Sequence, residues 1–179
     1  WNKTIPSTSS RNPYNDWGVA LHGYASSSAA IDETGVYIFC GATGAMAFDH
    51  DGTHRWTADC GTNTHAFGAG TSPVLYGDKV IINASVESAS LVALDRKTGI
   101  ARWTTSGPAV KSVPTGGSLR VVFSDGVVLF ANGTKLTAFA ADDGSPLWDG
   151  TLMKTSHHCP EDLFVIDGGI WSINTGKPQ

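Results

Sequence analysis

The densest run of side chains able to do chemistry is His157-His158-Cys159-Pro160-Glu161-Asp162. Imidazole, thiolate and carboxylate are the donors that hold a transition metal. The spacing argues against that use: neighbouring side chains in an extended strand point to opposite faces, and no common zinc pattern is matched. The run reads as a loop ending at Pro160. His22 and His65 form a second candidate pair, each placed before an apolar strand, in His22-Gly23-Tyr24 and His65-Ala66-Phe67. Two readings stay open for them: lining a polar funnel that admits a ligand, or satisfying backbone groups in turns.

The remaining candidates are weaker. Cys40, Cys60 and Cys159 are an odd set without a C-x-x-C pair, which gives no zinc signature. A Cys40–Cys60 disulfide and reduced, buried thiols are both compatible with the sequence, and reduced thiols are the simpler reading. Asp49, Asp95, Asp142 and Asp143 stand in turn sequences and read as acceptors of backbone N–H groups, not as paired catalytic acids. No glycine-rich phosphate loop and no nucleophile elbow occurs. Asn2, Asn83 and Asn132 each open a glycosylation sequon, but Asn83 lies in an apolar strand, so chance matches are the better reading. No catalytic residue and no metal site is assigned.

The elements that would carry these residues repeat. Three segments, Ala47 to Trp56, Ala93 to Trp103 and Ala138 to Trp148, each run through Gly52, Gly99 or Gly144 to a tryptophan four residues later. A period of this length in short strands and turns signals a β-propeller of four-stranded antiparallel blades. Each repeat starts with an apolar run, at residues 36–40, 80–84 and 127–131, without alternation, which predicts strands buried on both faces. The small residues before these runs, 25–30 and 70–75, are expected to form the innermost strand; 113–120 is a looser match. A hairpin follows, its first strand predicted at 45–49, 90–95 or 135–140. Gly99 is expected in a left-handed conformation closing a longer turn, and Asp51-Gly52 to form a two-residue hairpin turn.

The expected blades are 25–69, 70–112 and 113–155, with a partial fourth at 156–179. Residues 1–24 read as an irregular segment in which Trp1, Tyr14 and Trp17 cover an exposed blade. Trp56, Trp103 and Trp148 are expected to pack blade on blade. A tryptophan buries about 150–250 Å², an upper bound of about 4–6 kcal/mol each.

Composition bounds the partners. The chain has 179 residues, 41% hydrophobic and 16% charged, with 21 glycines, which fits many short strands and tight turns. The net charge of −4 comes without a basic block, so nucleic acid is not the expected partner. No apolar run reaches the ~18–20 residues that span a bilayer. The first residue is Trp1 and not Met, so the expectation is a processed or partial chain.

The segment Ala93-x-Asp95-x-x-Thr98-Gly99-x-x-x-Trp103 resembles in full the tryptophan-docking pattern of PQQ-like (pyrroloquinoline quinone-type) β-propeller repeats. The flanks Gly70 to Val80 and Ser85 to Ser90 are similar to bacterial PQQ-binding-like repeat proteins, a set that includes BamB-type assembly lipoproteins. The resemblance extends over about residues 20–172. The first and third repeats lack the Thr before Gly52 and Gly144, and the third has Ala140 where the pattern has Asp. The resemblance implies a periplasmic or extracellular, non-catalytic propeller module that binds or scaffolds a protein or small ligand. A first alternative is a fragment of a PQQ-dependent quinoprotein oxidoreductase, with PQQ and calcium as cofactors. Such enzymes carry an adjacent Cys-Cys pair; this chain has none, so no catalytic residue is carried over. A second alternative is a propeller hydrolase or lyase working at the channel mouth. Missing blades, of the same protein or another chain, are expected to complete the ring, because an open arc leaves sheet faces uncovered.

Overall fold

In the computed structural model the described residues are 1–5, 27–63, 70–106, 120–132, 135–152 and 163–172. They fall in two compact units, Trp1–Ala109 and Val110–Gln179. The first unit holds two four-stranded antiparallel sheets. One comprises β1 (Ala30–Asp32), β2 (Gly35–Phe39), β3 (Ala45–Phe48) and β4 (His54–Ala58), and the other β5 (Val74–Tyr76), β6 (Lys79–Ala84), β7 (Ser90–Asp95) and β8 (Ala101–Ser106). The second unit holds β9 (Arg120–Ser124), β10 (Val127–Asn132), β11 (Lys135–Ala140) and β12 (Pro146–Thr151), then the pair β13 (Leu163–Ile166) and β14 (Gly169–Ser172). In every sheet the strands lie in chain order, the meander that short polar turns produce. These are blades of a partial β-propeller.

The strands form where apolar residues meet turn chemistry. In the β1–β2 turn, the backbone N–H and hydroxyl of Thr34 both donate to the Asp32 carboxylate, at 2.9 and 2.7 Å. The β9–β10 and β13–β14 turns use Asp125-Gly126 and Asp167-Gly168, all four residues with φ between 48° and 78°. That is the two-residue hairpin geometry whose twist matches the flanking strands.

Three expectations need correction. Asp51-Gly52 does not form such a hairpin. Phe48 pairs with His54, and Asp49 N–H donates to the Thr53 carbonyl, so five residues make the turn. The Asp49 carbonyl accepts from Gly52 N–H at 2.9 Å, which closes the turn two residues before the strand resumes at His54. The innermost strands sit later than the small-residue runs. They occupy Ala30–Asp32 and Val74–Tyr76, where residues are close enough to the turn to pair with β2 and β6. Finally, β6 is buried on both faces apart from Lys79, but β2 alternates. Tyr37 and Phe39 point at the second sheet, while Val36 and Ile38 face away from it and stay half-buried.

One irregularity recurs in all three full blades. The pairing of the third and fourth strands slips after Ala47, Ala93 and Ala138, directly beyond the pairs Ala47–Trp56, Ala93–Trp103 and Ala138–Trp148. The extra residues are Arg55, Arg102 and Leu147. A bulge of this kind bends its strand and re-aims the adjacent side chain. Here the side chain beside it is the tryptophan, held opposite an alanine small enough to leave it room.

The core of the first unit runs between its two sheets. Tyr37, Phe39, Ala45, Ala47, Trp56, Ala58 and Cys60 from the first blade pack with Val80, Ile82, Ala84, Val92 and Leu94 from the second. In the second unit Leu129, Ala131, Leu136 and Ala138 pack with Leu163 of the partial blade.

Candidate functional site

Two places in the first unit concentrate polar chemistry, at opposite ends of the sheets. The first is the junction at the β3–β4 and β7–β8 turns. Gly99 has φ +74°, and a Cβ there would lie 2.7 Å from Cδ2 of the Trp56 ring. The glycine therefore gives both the left-handed turn and the flat seat on which the indole rests. The indole N–H completes the contact by donating to the Arg96 carbonyl at 3.0 Å. The ring is 7% exposed and lies 6.1 Å from the Tyr37 ring, centroid to centroid.

Arg96 is the second half of this junction. Its guanidinium pairs with Asp32 of the first blade and donates to the Thr34 hydroxyl at 2.9 Å and the Gly77 carbonyl at 2.6 Å. It also lies over the Tyr37 ring, 5.6 Å from its centroid. Arg55, the bulge residue, donates to the carbonyls of Thr34 and Arg96 at 2.7 and 3.3 Å. Two turns of one blade are thus tied to one turn of the next by charged, forked donors, the geometry for which arginine is suited.

Asp95 organises its turn from within. Its carboxylate accepts from Lys97 N–H, Thr98 N–H and the Thr98 hydroxyl at 3.0, 2.7 and 2.9 Å, and from Arg102 Nε at 3.0 Å. Burial alone would raise its pKa, but the bonds from Thr98, Arg102 and Lys97 outweigh it and hold the carboxyl at about 2. In the third blade Ala140 stands at this place. The turn still closes, through Gly144 N–H to the Ala140 carbonyl at 2.9 Å, without the carboxylate network. Asp49 makes a looser ion pair with Arg55 at 3.6 Å.

The second place is the opposite end, where β2–β3, β6–β7 and the residues after β4 meet. Glu87 in the β6–β7 turn is 4% exposed, and its carbonyl accepts from Asn63 N–H at 3.2 Å. Burial raises its carboxyl pKa to about 7. Cys60 is also buried; burial first, then the nearby Glu87 and Asp59 charges, push its thiol up to about 11. Such a thiol stays protonated and unreactive at neutral pH. Cys40 is raised as well by burial, and both are free thiols. Asn83, 4% exposed, takes the Ser85 hydroxyl on its Oδ1 at 2.6 Å, while its amide nitrogen is buried without a hydrogen-bond partner. Its burial closes the sequon to modification in the folded chain.

The candidates read from the sequence are distributed as follows. His22, His65 and the whole run His157–Asp162, Cys159 included, lie outside the described residues, as do Tyr14 and Trp17. Trp56 and Trp103 are buried, at 7% and 9% exposure, whereas Trp148 is 43% exposed. Gly52, Gly99 and Gly144 have φ of 87°, 74° and 72°. Asp143 accepts Ser145 N–H at 2.9 Å within its turn. Among the described residues no group of three or more His, Cys, Asp and Glu side chains comes together to hold a metal. Arg96 and Glu87 are the residues that sequence reasoning missed. Arg96 sits at an ordinary turn position, and only the neighbouring blade gives it partners. Glu87 had one signal, a lone acid between two apolar strands.

Four-stranded sheets joined by a tryptophan seated on a glycine turn define a β-propeller repeat protein. The family model described as outer membrane protein assembly factor BamB matches residues 7–161, and the chain belongs to that family. Among solved structures, BamB from Moraxella catarrhalis is similar at 19% identity and a TM-score of 0.58, over 83% of this chain and 42% of that one. The computationally designed Ika8 protein is similar at 14% identity and TM-score 0.59, over 83% and 42% of the two chains. Quinohemoprotein alcohol dehydrogenase from Comamonas testosteroni is similar at 21% and TM-score 0.50, over 70% of this chain and 20% of that one. At these identities the likeness is one of fold. The chain spans 42% of the length of the BamB structure it matches. No curated protein matches it. Among the described residues no helix is long and apolar enough to cross a membrane.

Proposed function

We propose that this chain is a non-catalytic segment of a β-propeller that binds or scaffolds a protein or small ligand in the bacterial envelope, in the periplasm or outside the cell. The observation that carries the reading is how the repeated polar residues are used. Asp95 accepts from its own turn and from Arg102, Arg96 is bound to Asp32 and Thr34, and the Trp56 N–H is given to a backbone carbonyl. Arg96 and Trp56 are committed to joining blades and Asp95 to bracing its own turn, which leaves recognition to the connecting loops and outer faces. Membership of the BamB family favours the envelope and a protein partner. The test is affinity capture from a bacterial envelope extract with the full chain as bait. Recovery of the same protein in replicate captures, lost when the connecting loops are replaced, is the expected result; captures that share nothing count against it.

A second reading, a fragment of a PQQ-dependent oxidoreductase, is favoured by the likeness to quinohemoprotein alcohol dehydrogenase. Among the described residues no three acidic, His or Cys side chains come together as a calcium would need. Asp95 is held by Thr98 and Arg102, and Glu87 is buried, with its carboxyl pKa raised to about 7. PQQ with calcium would need donors from other residues. Adding both to the chain and following quinone absorbance and dye-linked alcohol oxidation separates the two readings: a bound quinone with turnover would replace the binding module by an oxidoreductase.

A further inference from the structure

The β6–β7 turn buries polar residues that turns ordinarily give to water: Asn83, Ser85 and Ser90 are buried, and Glu87 is 4% exposed. The turn is braced from within. The N–H and hydroxyl of Ser85 both donate to the Asn83 side-chain carbonyl, at 3.2 and 2.6 Å, and Ser88 N–H donates to the Ala84 carbonyl at 2.8 Å. The Ser88 hydroxyl lies 2.6 Å from that of Ser90, and Ala89 takes φ of +55°. None of these bonds reaches the Glu87 carboxyl.

The turn is overlaid by the segment Asp59–Asn63, which leaves β4 toward β5. Gly61, at φ +116°, rests so closely on the turn that a Cβ there would lie 2.4 Å from the Glu87 carbonyl oxygen and 2.7 Å from Ser88 Cβ. Asn63 N–H donates to the same carbonyl at 3.2 Å, the long end of the range for such a bond. Asp59, Thr62 and Asn63 are exposed, and Cys60 is buried. The titratable groups beside Glu87 give a charge no support. The segment supplies the Asp59 carboxylate and the Cys60 thiol, the β2–β3 turn supplies only the Cys40 thiol, and among the described residues no cation lies beside the carboxyl. A protonated Glu87 can stay in such a place; an ionised one cannot stay without a partner.

We infer that Glu87 is a proton-operated catch on the β4–β5 connection: protonated, it lets the β6–β7 turn seat under Asp59–Asn63, and ionised, it loosens the segment from the turn. Burial holds the carboxyl at about 7, so the catch responds near neutrality. Opening breaks the Asn63 bond and the Gly61 contact while the bonds inside the turn stay intact, which makes it a local event. This goes beyond the binding-module reading. It makes one connecting segment, of the kind that reading leaves for recognition, responsive to pH, and its test needs no partner, so either can fail alone.

Amide hydrogen exchange on the full chain between pH 5 and pH 8, with and without low urea, reads the catch. Corrected for intrinsic exchange, the Asn63 amide is expected to lose protection by roughly tenfold or more as pH rises, without a urea effect, the mark of a local opening. In Glu87→Gln its protection should stay at the pH 5 level throughout. A parent amide indifferent to pH, or an equal loss in Glu87→Gln, overturns the inference. So does a loss that urea accelerates in step with global unfolding, because the carboxyl would then ionise only when the whole fold opens. Should Glu87→Gln not fold, carbon-13 NMR of the parent's glutamate carboxyls decides. Titration of Glu87 near 7 in step with the Asn63 amide shift is the expected result; titration at the ordinary 4.5, or near 7 with Asn63 unmoved, overturns it.

Discussion

The Trp56 ring occupies the space where residue 99 would carry a side chain, 2.7 Å from the nearest point a Cβ could take. Residue 99 is thus glycine for two independent reasons, its φ of +74° and its neighbour. Either alone would disfavour alanine; together they make the turn of one blade and the last strand of another a single packing unit.

Gly99→Ala is therefore expected to cost more than a left-handed residue alone, about 2–3 kcal/mol against roughly 1 for φ strain. Trp56→Ala should cost about 3–5 kcal/mol, and so should Trp103→Ala. The Trp56→Ala, Gly99→Ala double variant should be less destabilised than the sum, because removal of the ring frees the space for the methyl. Denaturant unfolding of the four forms provides the cycle. Strict additivity would mean that the ring and the glycine do not touch.

Arg96 joins Asp32, Thr34 and Gly77, and no shorter or unforked side chain spans all three. Arg96→Lys should lose most of what Arg96→Ala loses, about 1–3 kcal/mol, since an ammonium keeps the charge but not the fork. Melting both variants beside the parent checks it; full rescue by lysine would reduce the residue to its charge.

Asp95 is held at about 2, below the ordinary carboxyl value of 3.8, by donors that need its ionised form. Its stabilisation is fully present above about pH 4 and is lost as pH falls toward 2. Asp95→Asn should flatten the acid limb of a stability–pH curve over that interval. A variant that keeps the parent's limb would place the acid sensitivity elsewhere.

Glu87 works in the other direction. Its folded pKa is raised to about 7 from 4.5, so between these values the unfolded chain releases the proton and the folded chain keeps it. Stability should fall as pH rises through this window, by roughly 3 kcal/mol, and level off above it. Glu87→Gln should remove the fall and gain stability at pH 8 relative to the parent, with little change at pH 5. Equal slopes for parent and variant would show that the carboxyl is solvated.

Much of the architecture was legible because its causes are local. The period of the tryptophans, the glycines before them and the aspartates that open the turns all act within a few residues. The hairpins they predict are the observed β3–β4, β7–β8 and β11–β12 pairs. Where the reading slipped, competing local options decided. Asp51-Gly52 has the composition of a two-residue turn, but Phe48 pairs with His54 and the turn widens to five residues. Asp125-Gly126 and Asp167-Gly168 have the same composition and do form the tight turn, since the strands on either side are in register for it.

The sequence by itself determined the unit: a four-strand meander with a glycine turn and a tryptophan, each set by φ preferences and side-chain-to-backbone bonds inside one repeat. Only the tertiary structure decided what those residues touch. Arg96 reaches Asp32 and Thr34 some sixty residues away, Trp56 finds Gly99, and Trp1 lies against Gly52. Contacts across sheets depend on how whole faces pack, and no spacing within one repeat encodes that distance.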